Sequence, residues 1–381
     1  MTISSFSVPR NIIYGENALE HLSTLIGKKA ALVTGGSSMK RFGFLKRAED
    51  LLKQANFECI IIDNVEPNPS VETVRKGAEA MLAFEPDWIV AIGGGSALDA
   101  AKVMWCFYEH PHLSFEDLLP VGAMPHLRTK ARFVAIPSTS GSASEITSFS
   151  VITDTQSHIK YPIVAADMVP DIAILDPCIP AKMPPHITAN TGMDVLTHAI
   201  EAYVSTAATS FTDPYAIEAI RLVFENLETA YLQPDNITAR YNMHNASAMA
   251  GIAFSNASLG LVHSMAHKIG GEFDITHGLA NAIMLPYIIQ YNRLSTNKYR
   301  LLEEKLRIKD LIVAIQDLNQ RLDIPQTLKA CREVVIEEEQ FNTALLRMSI
   351  NAFDDPCTLT NPGCPGIDDI MDLYQQSYYG K

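Results

Sequence analysis

The first half of the chain alternates short apolar runs with longer stretches in which apolar and charged residues recur at helical spacing. Residues 30–34, 59–63 and 88–92 are apolar runs of the kind found in strands buried on both faces. Between them, residues 44–55 and 71–84 carry helical periodicity, and Ser70 stands where it can cap the second helix. Residues 11–14 give a weaker strand signal ahead of an amphipathic run at 17–26. Further strand signals follow at residues 133–136, 149–153 and 173–176. Strands alternating with helices predict a parallel sheet covered on both faces. Beyond about residue 186 the strand signal fades, and helical spacing takes over at 214–227, 239–254, 259–270, 299–322 and 338–353. Pro177, Pro180, Pro184 and Pro185 interrupt the pattern between the two regimes. They place a boundary at residue 180, with an α/β part over 1–180 and a helical part over 181–381. A chain of 381 residues is also too long for one ordinary core.

Composition narrows the classes. The formal net charge of −13 argues against broad nucleic-acid binding, which needs clustered Lys and Arg to displace counterions. No apolar run reaches the roughly 18 residues of a membrane helix, so no membrane partner is expected. The N-terminal residues show no basic stretch followed by an apolar one, so no signal peptide is expected. Six cysteines are scattered without a CxxC pair, and Cys357 and Cys364 have no partner ligands nearby. They predict reduced thiols in a cytoplasmic protein.

Two loops at predicted strand ends carry candidate chemistry. Gly93-Gly94-Gly95-Ser96 leads straight into a helical run. Glycines there let the backbone approach a bulky anion, and the free N–H groups of a helix start favour negative charge such as a pyrophosphate. The triplet is not the GxGxxG fingerprint, and alone it is equally a tight strand–helix turn. Residues 137–145 form a second loop at a strand end, rich in hydroxyls (Pro-Ser-Thr-Ser-Gly-Ser-Ala-Ser-Glu). Such a loop suits a sugar–phosphate or a nicotinamide amide, or is simply a solvated turn. The two loops together indicate a nucleotide site at the carboxyl ends of parallel strands.

The helical half carries a different candidate. Asp194 and His198 are four residues apart, as are His263 and His267, so each pair leaves one face of its helix. His277 follows, just before Gly278. A lone histidine on a helix is usually an ordinary residue, and His244 is read that way. The joint set offers one carboxylate and two to four imidazoles, which suits Fe(II), Zn, Mn or Co better than Mg or Ca. No cysteine joins it, which argues against a structural zinc.

Four motifs taken together resemble the iron-containing (group III) alcohol dehydrogenases, in the same order and over nearly the whole chain. They are GGGSxxDxAK from Gly93 to Lys102, the loop from Pro137 to Glu145, GMDxLTHAIE from Gly192 to Glu201, and HSxAHxxG followed by HG from His263 to Gly278. The resemblance implies an α/β fold with an N-terminal Rossmann-like, dinucleotide-binding parallel-sheet domain. Behind it would stand a C-terminal all-helical metal- and substrate-binding domain, as in dehydroquinate synthase. It implies Fe(II), with Zn as the alternative, held by Asp194, His198, His263 and His277. His267 would stand beside the metal as a proton relay, not on it. Gly94, Gly95 and Ser96 would cradle the pyrophosphate, with Asp99 nearby. Ser138, Thr139, Ser142 and Thr147 would line the cofactor cleft, and Lys160 would reach the ribose. The implied reaction is hydride transfer between NADP(H) and a small primary alcohol or aldehyde, butanol- or butanal-like, in a homodimer. The alternatives are an NAD-preferring diol or glycerol-type dehydrogenase and a dehydroquinate synthase-like lyase. The apolar Phe149, Ile252 and Phe254 favour a small, weakly polar substrate over the lyase's multiply charged one.

Cofactor choice is read from residues 35–41. Many NAD-preferring relatives carry an acid after the first buried strand. Here Gly36, Ser37 and Ser38 follow Gly35, with Lys40 and Arg41 behind them. Nothing in that loop repels a 2′-phosphate, and hydroxyls or cations can hold one. NADP(H) is therefore the expected preference, with NAD(H) still usable. Three positions depart from the family pattern: Ser142 where threonine is usual, Ala143 where glycine is usual, and Gly363 where arginine is usual.

Overall fold

A computed structural model describes residues 5–120, 122–155 and 159–380. Its contacts divide the chain into a unit spanning Ser7–Met183 and a second unit from Pro184 onward, which Phe6 joins. The boundary drawn at residue 180 falls in the 3-10 turn Pro180–Lys182.

The first unit contains β1 (Asn11–Tyr14), β2 (Lys29–Gly35), β3 (Glu58–Val65), β4 (Trp88–Gly93), β5 (Arg132–Pro137), β6 (Phe149–Asp154), β7 (Ile159–Val164) and β8 (Ile172–Leu175). Its helices are α1 (Ser38–Arg41), α2 (Phe44–Gln54), α3 (Val71–Phe84) and α4 (Gly95–Glu109). Six strands form one sheet in the order β1-β8-β5-β4-β2-β3, and every pairing in it is parallel. Successive strand residues face opposite sides. Ala31, Val33, Ile89, Ala91, Phe133 and Ala135 therefore join one core with residues of α3 and α4. Ala30, Leu32, Val90, Ile92, Val134 and Ile136 join the other with residues of α2. The Ser70 side chain accepts from the Thr73 N–H at 3.1 Å and starts α3, and Glu85 in the left-handed region (φ 59°) ends it.

The strand expected at 149–153 forms, but outside that sheet. β6 pairs antiparallel with β7 in a separate two-stranded hairpin. β7 gave no sequence signal because it is largely exposed and carries Pro162, which a central strand would not tolerate.

The second unit contains α5 (Pro185–Val204), α6 (Asp213–Leu232), α7 (Ile237–Ala257), α8 (Leu261–Phe273), α9 (His277–Asn292), α10 (Lys298–Leu306), α11 (Leu311–Arg321), α12 (Glu338–Phe353) and α13 (Ile367–Tyr379). α5 is its central helix, packed against α6, α7 and α9 and buried on nearly all sides. The single run expected over 299–322 is two helices. Arg307 takes a left-handed conformation (φ 56°) and ends α10, and the Asp310 carboxylate caps α11 by accepting from Ile312 and Val313 N–H groups at 2.8 and 3.2 Å. His277 is the first residue of α9. Among the described residues no helix is long and apolar enough to cross a membrane.

Candidate metal centre and cofactor loops

β5, β4 and β2 are neighbours and end at the same edge of the sheet. The loops at 138–142, 94–96 and 35–38 therefore leave the sheet side by side. From β2 the chain moves outward to β3 and then returns to β4 on the other side. The sheet thus switches direction between β2 and β4, which is where open α/β sheets take ligands. α4 begins at Gly95 directly after β4, with extended Gly94 before it, so its unpaired N–H groups open at that switch. A Cβ on Gly95 would lie 2.8 Å from Ser142 Oγ, and Ser138 N–H donates to Gly93 O at 2.8 Å. The two loops are in contact. Thr139 lies against Gly94, Gly36 turns in the left-handed region (φ 57°), Ser37 is exposed, and Ser38 opens α1. Ser96 is half-buried in the first turn of α4.

Asp99 and Thr147 serve as braces within this unit. Asp99 accepts from Ser144 Oγ at 2.6 Å and from Val151 N–H at 2.9 Å. Thr147 and Phe149 offer their carbonyls to the fully buried Lys102 Nζ at 2.7 and 2.8 Å. Burial pulls Lys102 down to about 8 and pushes Glu145 up to about 7. Ala143, where the family usually has glycine, sits in the left-handed region (φ 53°). Lys160 stands exposed on β7. Lys40 pairs with Asp63 on β3, an acid that its distance in sequence hid, and the Arg41 guanidinium lies 4.7 Å over the Phe42 ring.

In the helical unit, α5 supplies Asp194 and His198, α8 supplies His263 and α9 supplies His277. One donor atom from each lies within 4.8 Å of all the others. Asp194 Oδ1 is 3.8, 3.6 and 3.5 Å from Nε2 of His198, His263 and His277. Gly278 makes the approach possible, since a Cβ there would collide with the Asn190 carbonyl of α5 and lie 3.3 Å from Asp194 Cβ. The His198 ring stacks between Phe254 at 4.4 Å and His263 at 4.5 Å. Asn281, one turn after His277, donates to Asp194 Oδ1 at 2.8 Å. Glu201, one turn after His198, takes His263 Nδ1 at 2.6 Å.

Electrostatics follow from this packing. Burial opposes ionisation of Asp194, but the imidazoles of His198, His277 and His263 outweigh it and hold the carboxyl well below the usual range. Burial lowers His198 to about 3, and it lowers His277 in the same direction although 40% of that side chain is exposed. Burial also disfavours charge on His263, but Asp194 and Glu201 overcome it and raise the ring to about 9.

The donors fit a divalent cation. A tetrahedral centre with bonds of about 2.1 Å has ligand atoms about 3.4 Å apart, close to the separations from Asp194. The set combines one anionic oxygen with three imidazole nitrogens, two of them neutral and one whose proton a cation would displace.

His267, the fourth imidazole expected here, stays outside the four-donor cluster. It is exposed, stacked on His277 at 5.3 Å, with Nδ1 3.3 Å from Asp355 Oδ2. Asp355 also accepts from Lys268 Nζ at 2.7 Å. Burial opposes its ionisation, yet His267 and Lys268 hold its carboxyl below the usual range. His244 is buried on α7 and is not one of the clustered donors. At Gly363 a Cβ would lie 2.9 Å from Asn292 Oδ1, so the missing side chain leaves room for the hydrogen-bonded pair Asn361–Asn292.

The sequence profile of the iron-containing alcohol dehydrogenases matches residues 9–177, and the profile of that family's C-terminal domain matches residues 188–378. The NADPH-dependent butanol dehydrogenase of Clostridium saccharobutylicum is 49% identical, over 98% of each chain. The aldehyde-alcohol dehydrogenase of Streptococcus pneumoniae is 38% identical over 98% of this chain, which spans 46% of that longer protein. The crystallised iron-containing alcohol dehydrogenase of Thermococcus thioreducens superposes with a TM-score of 0.92 at 36% identity, covering 99% of this chain and all of that one.

Proposed function

The chain belongs to the iron-containing alcohol dehydrogenase family, and on that premise we propose that it moves a hydride between NADP(H) and a small primary alcohol or aldehyde of the butanol or butanal kind. The observation that carries this reading is the cluster of Asp194, His198, His263 and His277, which would hold Fe(II), or Zn in its place. When bound, the metal supplies Lewis acidity at the substrate oxygen and the nicotinamide supplies or takes the hydride. The chain's own residues do the rest. Gly94, Gly95, Ser96 and the start of α4 would receive the pyrophosphate, and Ser138, Thr139 and Ser142 would flank the cofactor. Phe254, stacked on His198, brings apolar surface to the ligand cluster, which suits an alkyl chain. His267, exposed and hydrogen-bonded to Asp355, would exchange a proton with solvent. Support for NADP(H) comes from the acid-free loop at 35–38, from Arg41 beside it, and from the name of the 49%-identical relative. A cytoplasmic homodimer completes the reading, supported by family resemblance and by six cysteines that form no disulfide among the described residues.

The test follows the absorbance of reduced nicotinamide with butanal, using NADPH and NADH, before and after chelation and after reloading with Fe(II) or Zn. Oxidation that needs metal and is more efficient with NADPH is expected. No oxidation under any metal condition would sink the reading, and equal or better efficiency with NADH would sink its cofactor choice. His267→Ala should lower turnover while keeping the metal content. Loss of metal in that variant would make His267 a ligand.

A further inference from the structure

Glu201 follows Asp194 by seven residues and His198 by three, so all three project from one face of α5. Its side chain is buried, and its carboxylate gathers donors from the start of α8. Oε2 accepts from Gly260 N–H at 3.0 Å and His263 N–H at 3.4 Å, and Oε1 accepts from Val262 N–H at 2.6 Å. The shortest contact to Oε2 is His263 Nδ1 at 2.6 Å. An ionised carboxylate only accepts, so the imidazole must carry its proton on Nδ1 and leave Nε2 for the cluster. His198 Nδ1, by contrast, is buried with no hydrogen-bond partner among the described residues. Gly260 keeps the approach open, since a Cβ there would lie 2.8 Å from Glu201 Oε1. Asp194 alone gives the cluster one negative charge, and Glu201 adds a second one a single imidazole away. A buried dication needs that balance.

We propose that Glu201 is the positioning residue of the metal centre. It fixes His263 as the Nδ1–H tautomer, strengthens its Nε2 as a donor, and ties α5 to α8. This rests on the metal reading of the cluster given above. Partners of this kind typically change metal affinity by about 10–100-fold.

The experiment compares the wild-type protein with Glu201→Gln and Asn361→Ala. Asn361 Oδ1 caps the same helix start by accepting from Leu261 N–H at 3.2 Å, and its other contacts go to Asn292 and Gly363, so it controls for loss of capping alone. Co(II) affinity is measured by competition with a chromophoric chelator, and the Co(II) d–d absorption is recorded for each loaded protein. Glu201→Gln should weaken Co(II) binding about 10–100-fold and shift the d–d bands. Asn361→Ala should lower the thermal midpoint and leave affinity and bands unchanged. Equal affinity and identical bands in Glu201→Gln would overturn the proposal. Wild-type protein that takes up no metal would instead overturn the metal reading. If Glu201→Gln does not fold, nitrogen NMR of 15N-histidine-labelled, Zn-loaded wild type decides directly. An Nδ1–H His263 supports the proposal, and a ring metallated through Nδ1 refutes it.

Discussion

The edge of the sheet and the ligand cluster handle charge by opposite means. At the sheet, Gly94, Gly95, Ser138 and Ser142 present backbone and small side chains, and the charged residues Asp99, Lys102 and Glu145 are turned inward to brace the loops. In the helical unit the ionisable side chains themselves converge, with one carboxylate amid three imidazoles. A site made of backbone needs room and correct strand ends more than any particular side chain. A site made of ligating side chains depends on each atom it places.

The largest effect should come from the cluster. Asp194→Ala or His263→Ala is expected to remove the metal, measured by elemental analysis, and to cut turnover about a thousandfold or more. NADPH affinity by fluorescence titration should stay near wild type. Coupled loss of both would erase the distinction between the sites. The converse variant is Gly95→Val, whose new side chain would strike Ser142. KM for NADPH should rise about 10–100-fold, the cost of overpacking by about 1–3 kcal/mol, with metal content unchanged.

The braces make a pH prediction. Burial raises folded Glu145 from 4.5 to about 7. Between these values the unfolded chain has lost a proton that the folded chain keeps, so this group makes stability fall as pH rises through the window. Glu145→Gln should flatten that fall, by up to about 3 kcal/mol, in urea unfolding at the two ends of the window. An unchanged slope would mean that Lys102 already compensates the charge. The smallest effect is expected at Ala143→Gly, where relief of the left-handed conformation should gain up to about 1 kcal/mol, read as a modest rise in thermal midpoint.

Legibility in the sequence followed the range of the interactions. β2, β4 and β5 were visible because central strands buried on both faces are continuous apolar runs, and the loops proposed to take the cofactor were visible because they directly follow those strands. The β6–β7 hairpin was half hidden, since one strand is mostly exposed. Spacing of four found Asp194 with His198, but the same spacing could not separate His263 from His267. It specifies a helix face and says nothing of depth, and one of those rings is buried while the other is exposed. Resemblance to a family made that separation. Asp63 beside Lys40 was missed because strand pairing, not sequence, brings it close. Glu201 and Asn281 did leave a trace. They lie one turn beyond His198 and His277, on largely buried helices.

α5 holds Asp194, His198 and Glu201 within eight consecutive residues, and this makes the centre sensitive to length more than to composition. One residue inserted between His198 and Glu201 would leave the first two in place and turn everything after them by about 100°. Glu201 would swing away from the start of α8 while the apolar content of the helix barely changed. Related chains that keep this chemistry should therefore vary in side chains along α5 far more readily than in the number of residues between its polar positions.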